Sequence, residues 1–331
     1  MVESRPVYFD AFRCIAGDCP DSCCKEWAVQ VDAASAAFYR SLSGDLGDRL
    51  RQVLHTEDGE TVMSIENGRC PMWRQDGLCR IQAELGENAL CKVCREFPRL
   101  RHDYGDFVEL GLELSCPEAA RLILADPKAE TVFREIPGGE RPEYDVDAMA
   151  SLKASRTRML AILSDERYPV PVALALGLLY GYQAQGELDG EEVLPFDAAN
   201  ALDGVREFTK YPDTDEISPF FLGLEILTEE WRQRLLNPEP GRWQEEYRAL
   251  ARYFVQRYWL QAVSDYDLYS RVKFIVISCL LIRQLGGNLT ATAQLYSKEI
   301  ENDADNVEAI LDGAYAHPAF TDDKLLGILL K

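Results

Sequence analysis

Nine of the ten cysteines of this 331-residue chain, Cys14, Cys19, Cys23, Cys24, Cys70, Cys79, Cys91, Cys94 and Cys116, lie in its first 116 residues. Thiolates are soft ligands, and several of them meeting at one point suit a zinc ion or an iron–sulfur cluster. Two blander readings compete. A disulfide framework fits small exported domains and is opposed by a reducing cytosol. Free structural cysteines sit singly in apolar stretches, whereas these sit among Gly, Pro, Asp, Arg and Lys. Metal ligation suits that setting best. Cys279, alone inside the apolar run Phe274 to Ile282, reads as plain core.

The elements that must position these thiols are short loops and helix starts. Between Cys14 and Cys24 the pairs Gly17-Asp18 and Pro20-Asp21 are turn chemistry that folds the chain back. Adjacent Cys23 and Cys24 are expected to point in different directions, so that one serves a different site. Cys91 and Cys94, three apart on a short helix, share a face. Around them Lys92, Arg95, Arg99 and Arg101 form a basic patch, either ordinary solvated charge or a counterweight to an anionic group. Ser115-Cys116-Pro117-Glu118 reads as a capping box opening a helix through Leu124, which would put the Cys116 thiol in the positive field of a helix start. Zinc ribbons usually carry two C-x2-C knuckles, and only Cys91 and Cys94 have that spacing. The C-x3-C of Cys19 and Cys23 is half of the radical-enzyme signature, but Glu26 stands where its last cysteine would be.

Four ordered blocks carry a resemblance: Phe12 to Trp27, Cys70 to Trp73 with Asp76 to Gly86, Cys94 to Arg99, and Leu114 to Ala120. They resemble the flagellin lysine N-methylase family, within a wider group of cysteine-cluster proteins described as zinc- or iron-chelating. Weaker likeness extends to Tyr269–Leu281 and Lys298–Ile310. The resemblance implies methyl transfer from S-adenosylmethionine to lysine amines of flagellin, with an iron–sulfur cluster of the 4Fe–4S type, or zinc as the alternative. Carried over residue by residue, it implies Cys14, Cys19, Cys23, Cys24, Cys70, Cys79, Cys94 and Cys116 as metal ligands. Eight is more than one cluster needs, so either there are two centres or some thiols are structural. Cys91 departs from the pattern and reads as a spare thiol. The competing reading is a non-enzymatic metal-binding or electron-transfer protein with a helical docking domain.

The expected fold is mainly α, with a small mixed cysteine-rich module over 1–126, a connection over 127–145 and a helical bundle or array over 146–331. In the module, Val7 to Phe9 and Trp27 to Val31 look strand-like, and Asp32 caps a helix to about Leu42. Thr61 to Glu66 reads as a strand before an Asn67-Gly68 turn, and Arg99–Tyr104 with Phe107–Leu114 as a hairpin. Eight helices are expected in the array: Val146–Ser164, Pro171–Gln185, Pro195–Thr209, Pro219–Leu236, Arg242–Val263, Tyr266–Leu285, Thr290–Asp303 and Val307–Ala316.

A formal charge of −21 opposes any general affinity for nucleic acid. It suits a lysine-bearing protein partner as well as simple solubility. The start of the chain lacks the features of a signal peptide, and its apolar runs are too short to span a bilayer, so a cytoplasmic protein is expected. Lysine attacks as the neutral amine, of which only about one in 10³ is present at pH 7. A methylase must therefore desolvate it or place a base nearby. Asp265, Tyr266, Asp267 and Tyr269 are candidates by composition, although capping a helix start explains them more simply. The aromatics Trp231, Trp243, Tyr247, Tyr253, Phe254, Tyr258, Trp259, Tyr266 and Tyr269 read chiefly as helix packing, with a lysine channel as the functional alternative. Gly138-Gly139 and Gly286-Gly287 lack the context of a G-x-G-x-x-G turn, so a donor site for S-adenosylmethionine would have to be atypical.

Overall fold

The computed structural model describes residues 1–24, 29–57, 59–205 and 217–331. Its secondary structure is mainly α, as expected. Among the described residues, seven strands form two small sheets: β1 (Val2–Pro6), β2 (Val29–Gln30), β3 (Leu54–Glu57), β4 (Glu60–Met63), β5 (Arg99–Asp103), β6 (Phe107–Leu112) and β7 (Thr131–Glu135). The first sheet has the order β5-β6-β1-β7, with β1 parallel to β6 and antiparallel to β7; the second is β2-β4-β3. The β5–β6 hairpin lies where the sequence places it. So does the turn before Cys70, where Asn67 and Gly68 both take positive φ, the backbone of a tight hairpin turn.

One expectation near the N-terminus is corrected. The first strand is Val2–Pro6, and Val7–Phe9 is a single 3-10 turn. Pro6 ends the strand, and the Val7 amide bonds to the carbonyl of Glu130. The stretch 127–145 contains β7, which pairs along the whole of β1. Of the expected strand from Trp27 to Val31, residues 27 and 28 lie outside the described residues, and Val29–Gln30 pairs with β4.

The helices flanking the cysteines are α1 (Ala33–Ser41), α2 (Gly44–Val53), α3 (Arg80–Leu85), α4 (Lys92–Glu96) and α5 (Pro117–Leu124). Asp32 caps α1 as expected, accepting from the Ser35 amide at 2.9 Å. The larger array comprises α6 (Val146–Ser164), α7 (Val170–Leu188), α8 (Ala198–Val205), α9 (Ile217–Phe221), α10 (Glu229–Leu236), α11 (Glu246–Tyr258), α12 (Leu268–Leu285), α13 (Leu289–Tyr296), α14 (Ala304–Ala316) and α15 (Asp322–Leu329). The expected helix from Pro219 to Leu236 is two, because the Thr228 hydroxyl caps a new start by accepting from the Trp231 amide. The end of the one expected from Pro195 lies outside the described residues. Helix α15 was not expected.

Helix α12 is mostly apolar and is buried from Leu268 to Ile282, Arg271 and Lys273 included. Gly181 of α7 lets it approach, since a Cβ there would meet Val272 Cγ1 at 2.5 Å. Cys279 is fully buried in this core, as expected.

Two apolar clusters result. The larger joins Phe12, Leu112, Leu114 and α5 to the helices of the array, with Cys116 packed against it. The smaller contains Val29, Tyr39, Leu50, Met63, Met72 and Ile81 together with Cys70 and Cys91, and Cys24 and Cys79 pack on its edge. Each cluster therefore carries its own share of the thiols.

Candidate functional site

All ten cysteines are free thiols. The loop bearing Cys14, Cys19 and Cys23 is tied to the helical array at Asp21. Gln294 Nε2 of α13 donates to Asp21 Oδ2 at 2.7 Å and to the Ser115 carbonyl at 2.8 Å, and Lys298 Nζ lies 3.6 Å from the same carboxylate. One side chain thereby holds the loop against the residue that precedes Cys116. Cys14 and Cys116 are charge neighbours of Cys23, and Cys14 and Cys19 of Cys116.

The remaining thiols gather on the smaller cluster. The Cys70 amide donates to the Cys24 carbonyl at 2.7 Å, the Arg80 amide to the Met72 carbonyl at 2.7 Å, and Trp73 bridges to Cys79. Cys24 and Cys91 are charge neighbours of both Cys70 and Cys79. Cys91 occupies the N-cap of α4 and Cys94 its third residue, so the two share a face as expected. The Cys94 thiol donates to Cys91, which lowers Cys91 and raises Cys94.

Cys23 and Cys24 do not simply point apart. The Cys23 thiol donates to Cys24, holding Cys24 below and Cys23 far above the ordinary thiol range. Cys14 and Cys116 lie beside Cys23, whereas Cys24 has Cys70 and Cys79 as charge neighbours and is one of Cys19 as well. Among the described residues, no three His, Cys, Asp or Glu side chains form a ready-made metal-holding group. What the fold provides is a run of thiols in which Cys116 packs on the larger apolar cluster and Cys24, Cys70, Cys79 and Cys91 on the smaller.

The Cys116 expectation is corrected. No capping box forms, because Cys116 rather than Ser115 occupies the N-cap of α5, while Ser115 Oγ donates to Glu113 Oε2 at 3.2 Å. Burial pushes the Cys116 thiol up to about 11, against the smaller downward pull of the Ala119 and Glu118 amides. Desolvation outweighs the field of the helix start. Burial likewise pushes Cys70 up to about 12 and raises Cys19 and Cys79.

The basic patch is largely spoken for. Arg101 pairs with Asp103, Arg95 reaches the Leu90 carbonyl and Arg99 lies over the Phe12 ring. The tyrosine and aspartate candidates near 266 have structural roles. Asp265 pairs with Arg271, Asp267 caps α12 by accepting from the Ser270 amide, and Tyr266 donates to Asp145. Trp231, Phe254 and Trp259 are fully buried, and Tyr247, Tyr253 and Tyr258 nearly so. They pack the core, and Tyr253 also lines a cavity of about 260 Å³ beside His102 and Arg156.

A feature that the sequence reading missed lies beside both thiol groups. A cleft of about 600 Å³ is lined by Glu96, Glu113, Glu225, Glu299, Glu301 and Asp303, with Arg99 and Lys298 on the same walls. Its floor is a π-helical turn over Ser297–Glu301, in place of the straight helix expected to Asp303. The extra residue in that turn brings Lys298, Glu299 and Glu301 to the buried side together. Glu301 accepts from Tyr258 Oη at 2.9 Å and Tyr253 Oη at 3.1 Å, and Arg257 Nε lies 3.3 Å away. Burial raises Glu113 and Glu299 above the usual carboxylate range. Two stretches of the resemblance, Cys94 to Arg99 and the weaker Lys298–Ile310, pointed here.

These features define a mainly α protein with a thiol-rich face and an acidic cleft next to it. No family model matches the chain, and no solved structure matches it. It is 34% identical over 134 residues to the flagellar biosynthetic protein FliU of Salmonella muenchen, a stretch covering 38% of this chain and 79% of that protein. The same identity and length link it to the lysine-N-methylases of Salmonella typhimurium and Salmonella choleraesuis, but cover 33% of each. The chain belongs to the flagellin lysine N-methylase family, and it matches about a third of the length of those two enzymes. No described helix is long and apolar enough to cross a membrane.

Proposed function

We propose that the protein is a cytoplasmic S-adenosylmethionine-dependent lysine N-methyltransferase acting on a flagellin-type protein, and that its N-terminal thiols hold an iron–sulfur cluster. The observation that carries this reading is the relationship to lysine-N-methylases over 134 residues. The cleft supports it, because a wall of carboxylates beside the thiols suits the entry of a cationic lysine side chain. The donor set also fits a thiolate-bound metal: the thiols are free, soft and gathered from four stretches of chain. When bound, such a centre would supply electron transfer or an open iron position for the donor's amino and carboxylate groups.

What the chain itself does is orient and deprotonate. The cleft carboxylates draw the ammonium in, and burial removes its water, which favours the neutral amine needed for attack. Glu113, three residues before Cys116 and on the cleft wall, is the residue we assign to accept the proton. Its elevated affinity for protons suits that role better than an exposed carboxylate would.

The test is transfer of labelled methyl from S-adenosylmethionine to a flagellin preparation, using protein purified without air. Transfer that disappears in the Cys19→Ser, Cys23→Ser double variant supports the reading. A metal-loaded protein that transfers nothing overturns it and leaves a metal-binding or electron-transfer role.

A further inference from the structure

We propose that the cavity of about 260 Å³ over the four-stranded sheet binds a small monocarboxylate with an aromatic or branched apolar body, its carboxylate held by His102, Arg156 and Arg257. This site is separate from the thiols and from the acidic cleft, and it does not depend on methyl transfer.

The register of the sheet builds the floor. Side chains alternate between the two faces along each strand and line up across paired strands. His102 of β5 pairs with Glu109 of β6, Glu109 with Ser4 of β1, and Ser4 with Phe133 of β7, so these four share a face. The next row on that face begins with Leu100 paired to Gly111. Both rows line the cavity, and Gly111 keeps the floor low because it has no side chain. Arg156 and Leu160 of α6, with Tyr253 and Arg257 of α11, form the facing wall. Phe133 lines the cavity yet stays 71% exposed, which places it at the mouth.

One polar atom in this setting has nothing to bond. His102 Nε2 is buried and has no hydrogen-bond partner among the described residues, a costly state for an imidazole nitrogen. Burial first, then Arg257 and Arg156 acting against Glu109, holds His102 below the ordinary imidazole range. The ring is therefore neutral at pH 7 and has one N–H to donate. The two guanidinium groups outweigh the one carboxylate at this ring, so the local field favours an anion even though the chain as a whole carries −21. Arg156 uses two of its five donors on Glu109, at 2.6 and 2.8 Å. The carboxylates nearest Arg257, those of Glu301 and Glu113, lie outside the cavity walls.

The remaining walls say what else the occupant carries. Leu100, Leu160 and Phe133 would face a bare inorganic anion with no apolar contact, so an apolar body must accompany the charge. The volume lies just below the roughly 300 Å³ at which ligand pockets commonly begin, which limits that body to a compact ring or branched chain. S-adenosylmethionine, a net cation, is opposed by the field that favours the carboxylate.

The experiment titrates the full chain with benzoate, phenylacetate, 3-phenylpropionate and isovalerate, using phenylacetamide and 2-phenylethylamine as neutral and cationic controls. Calorimetry reads binding, and imidazole NMR reads His102, whose signal among the three histidines is assigned with His102→Gln. At least one carboxylate is expected to bind at a single site with a Kd of about 1 mM or tighter, a modest demand on about ten non-hydrogen atoms. The amide and the amine are expected to bind about tenfold more weakly or not at all, for want of a charge-assisted hydrogen bond. Bound carboxylate should raise the pKa of His102 and leave His55 and His317 unchanged. Gly111→Val should abolish binding, because a Cβ there meets nothing nearer than Leu100 Cβ at 3.8 Å and the added methyls extend over the floor. Failure of all four carboxylates to bind the unaltered chain overturns the proposal, a measurement that needs no variant to fold. Binding that leaves His102 unmoved, or that survives in a Gly111→Val chain of unchanged circular dichroism, also overturns it. So does displacement of the bound carboxylate by S-adenosylmethionine, which would make the cavity the donor site.

Discussion

Gln294 donates to Asp21 at 2.7 Å across 273 positions of sequence, and through that bond the helical array grips the loop that carries Cys19 and Cys23. The same amide nitrogen serves the Ser115 carbonyl. Replacing it with leucine leaves the buried Ser115 carbonyl without this donor and the part-buried Asp21 carboxylate with one donor fewer, which costs about 1–3 kcal/mol. Gln294→Leu is expected to lower the melting temperature and to speed the reaction of Cys19 and Cys23 with a thiol reagent in metal-free protein. Cys70 and Cys91 should react at unchanged rates, and mass mapping of the labelled chain would show which thiols respond.

Glu301 is the hub of the cleft floor. Its carboxylate is the partner of Arg257 and accepts from two buried tyrosines. Glu301→Ala removes the nearer carboxylate of the buried Arg257 and leaves it only Glu113 at 3.7 Å and the Tyr253 hydroxyl, a loss of up to about 3–5 kcal/mol by the usual cost of breaking a buried pair. Glu301→Gln keeps the shape and an acceptor and should cost less. Urea unfolding of the two variants against the unaltered protein checks both the size and the order.

Asp32 joins α1 to the Cys91–Cys94 segment. Hydrogen bonds from the Lys92 amide first, then from the Ser35 amide and hydroxyl, hold its carboxyl at about 2. A lowered folded value means that the charged form stabilises the fold at any pH above the ordinary 3.8 and that this contribution fades as pH falls toward 2. Asp32→Ala should therefore be less stable than the unaltered chain at pH 6, with the gap narrowing below pH 4. Thermal melts across that range measure it.

Gly181 sets the spacing of α7 and α12. A methyl group there presses on Val272, so Gly181→Ala is expected to destabilise by about 1–3 kcal/mol. Adding Val272→Ala makes room, and the double variant should be less destabilised than the sum of the two single changes. Additive costs in a denaturation cycle would contradict the packing account.

If Glu113 takes the proton from the substrate amine, Glu113→Gln should reduce methyl transfer by on the order of 10²-fold, the usual worth of a positioned base. Bound metal and cleft shape should not change. Elemental content measured beside the transfer rate distinguishes this from loss of the thiol site.

The local grammar of this chain was legible because it depends on neighbours in sequence. Asp32 as a cap, Asn67-Gly68 as a turn, the 99–112 hairpin and the boundaries of α6 follow from propensity and hydrophobic period alone. The gathering of thiols in the first 116 residues was visible for the same reason. Three things were decided only by the folded chain. The π-helical turn at Ser297–Glu301 aims two carboxylates into a cleft, and no period in the sequence marks its extra residue. The burial of Cys116 overrides the helix-start field, because desolvation depends on what packs from α13 and the 14–23 loop, not on the Ser-Cys-Pro-Glu string. The sorting of thiols onto two apolar clusters depends on which distant side chains each cysteine packs against. Spacing states how many ligands a chain offers; only packing states which of them can meet.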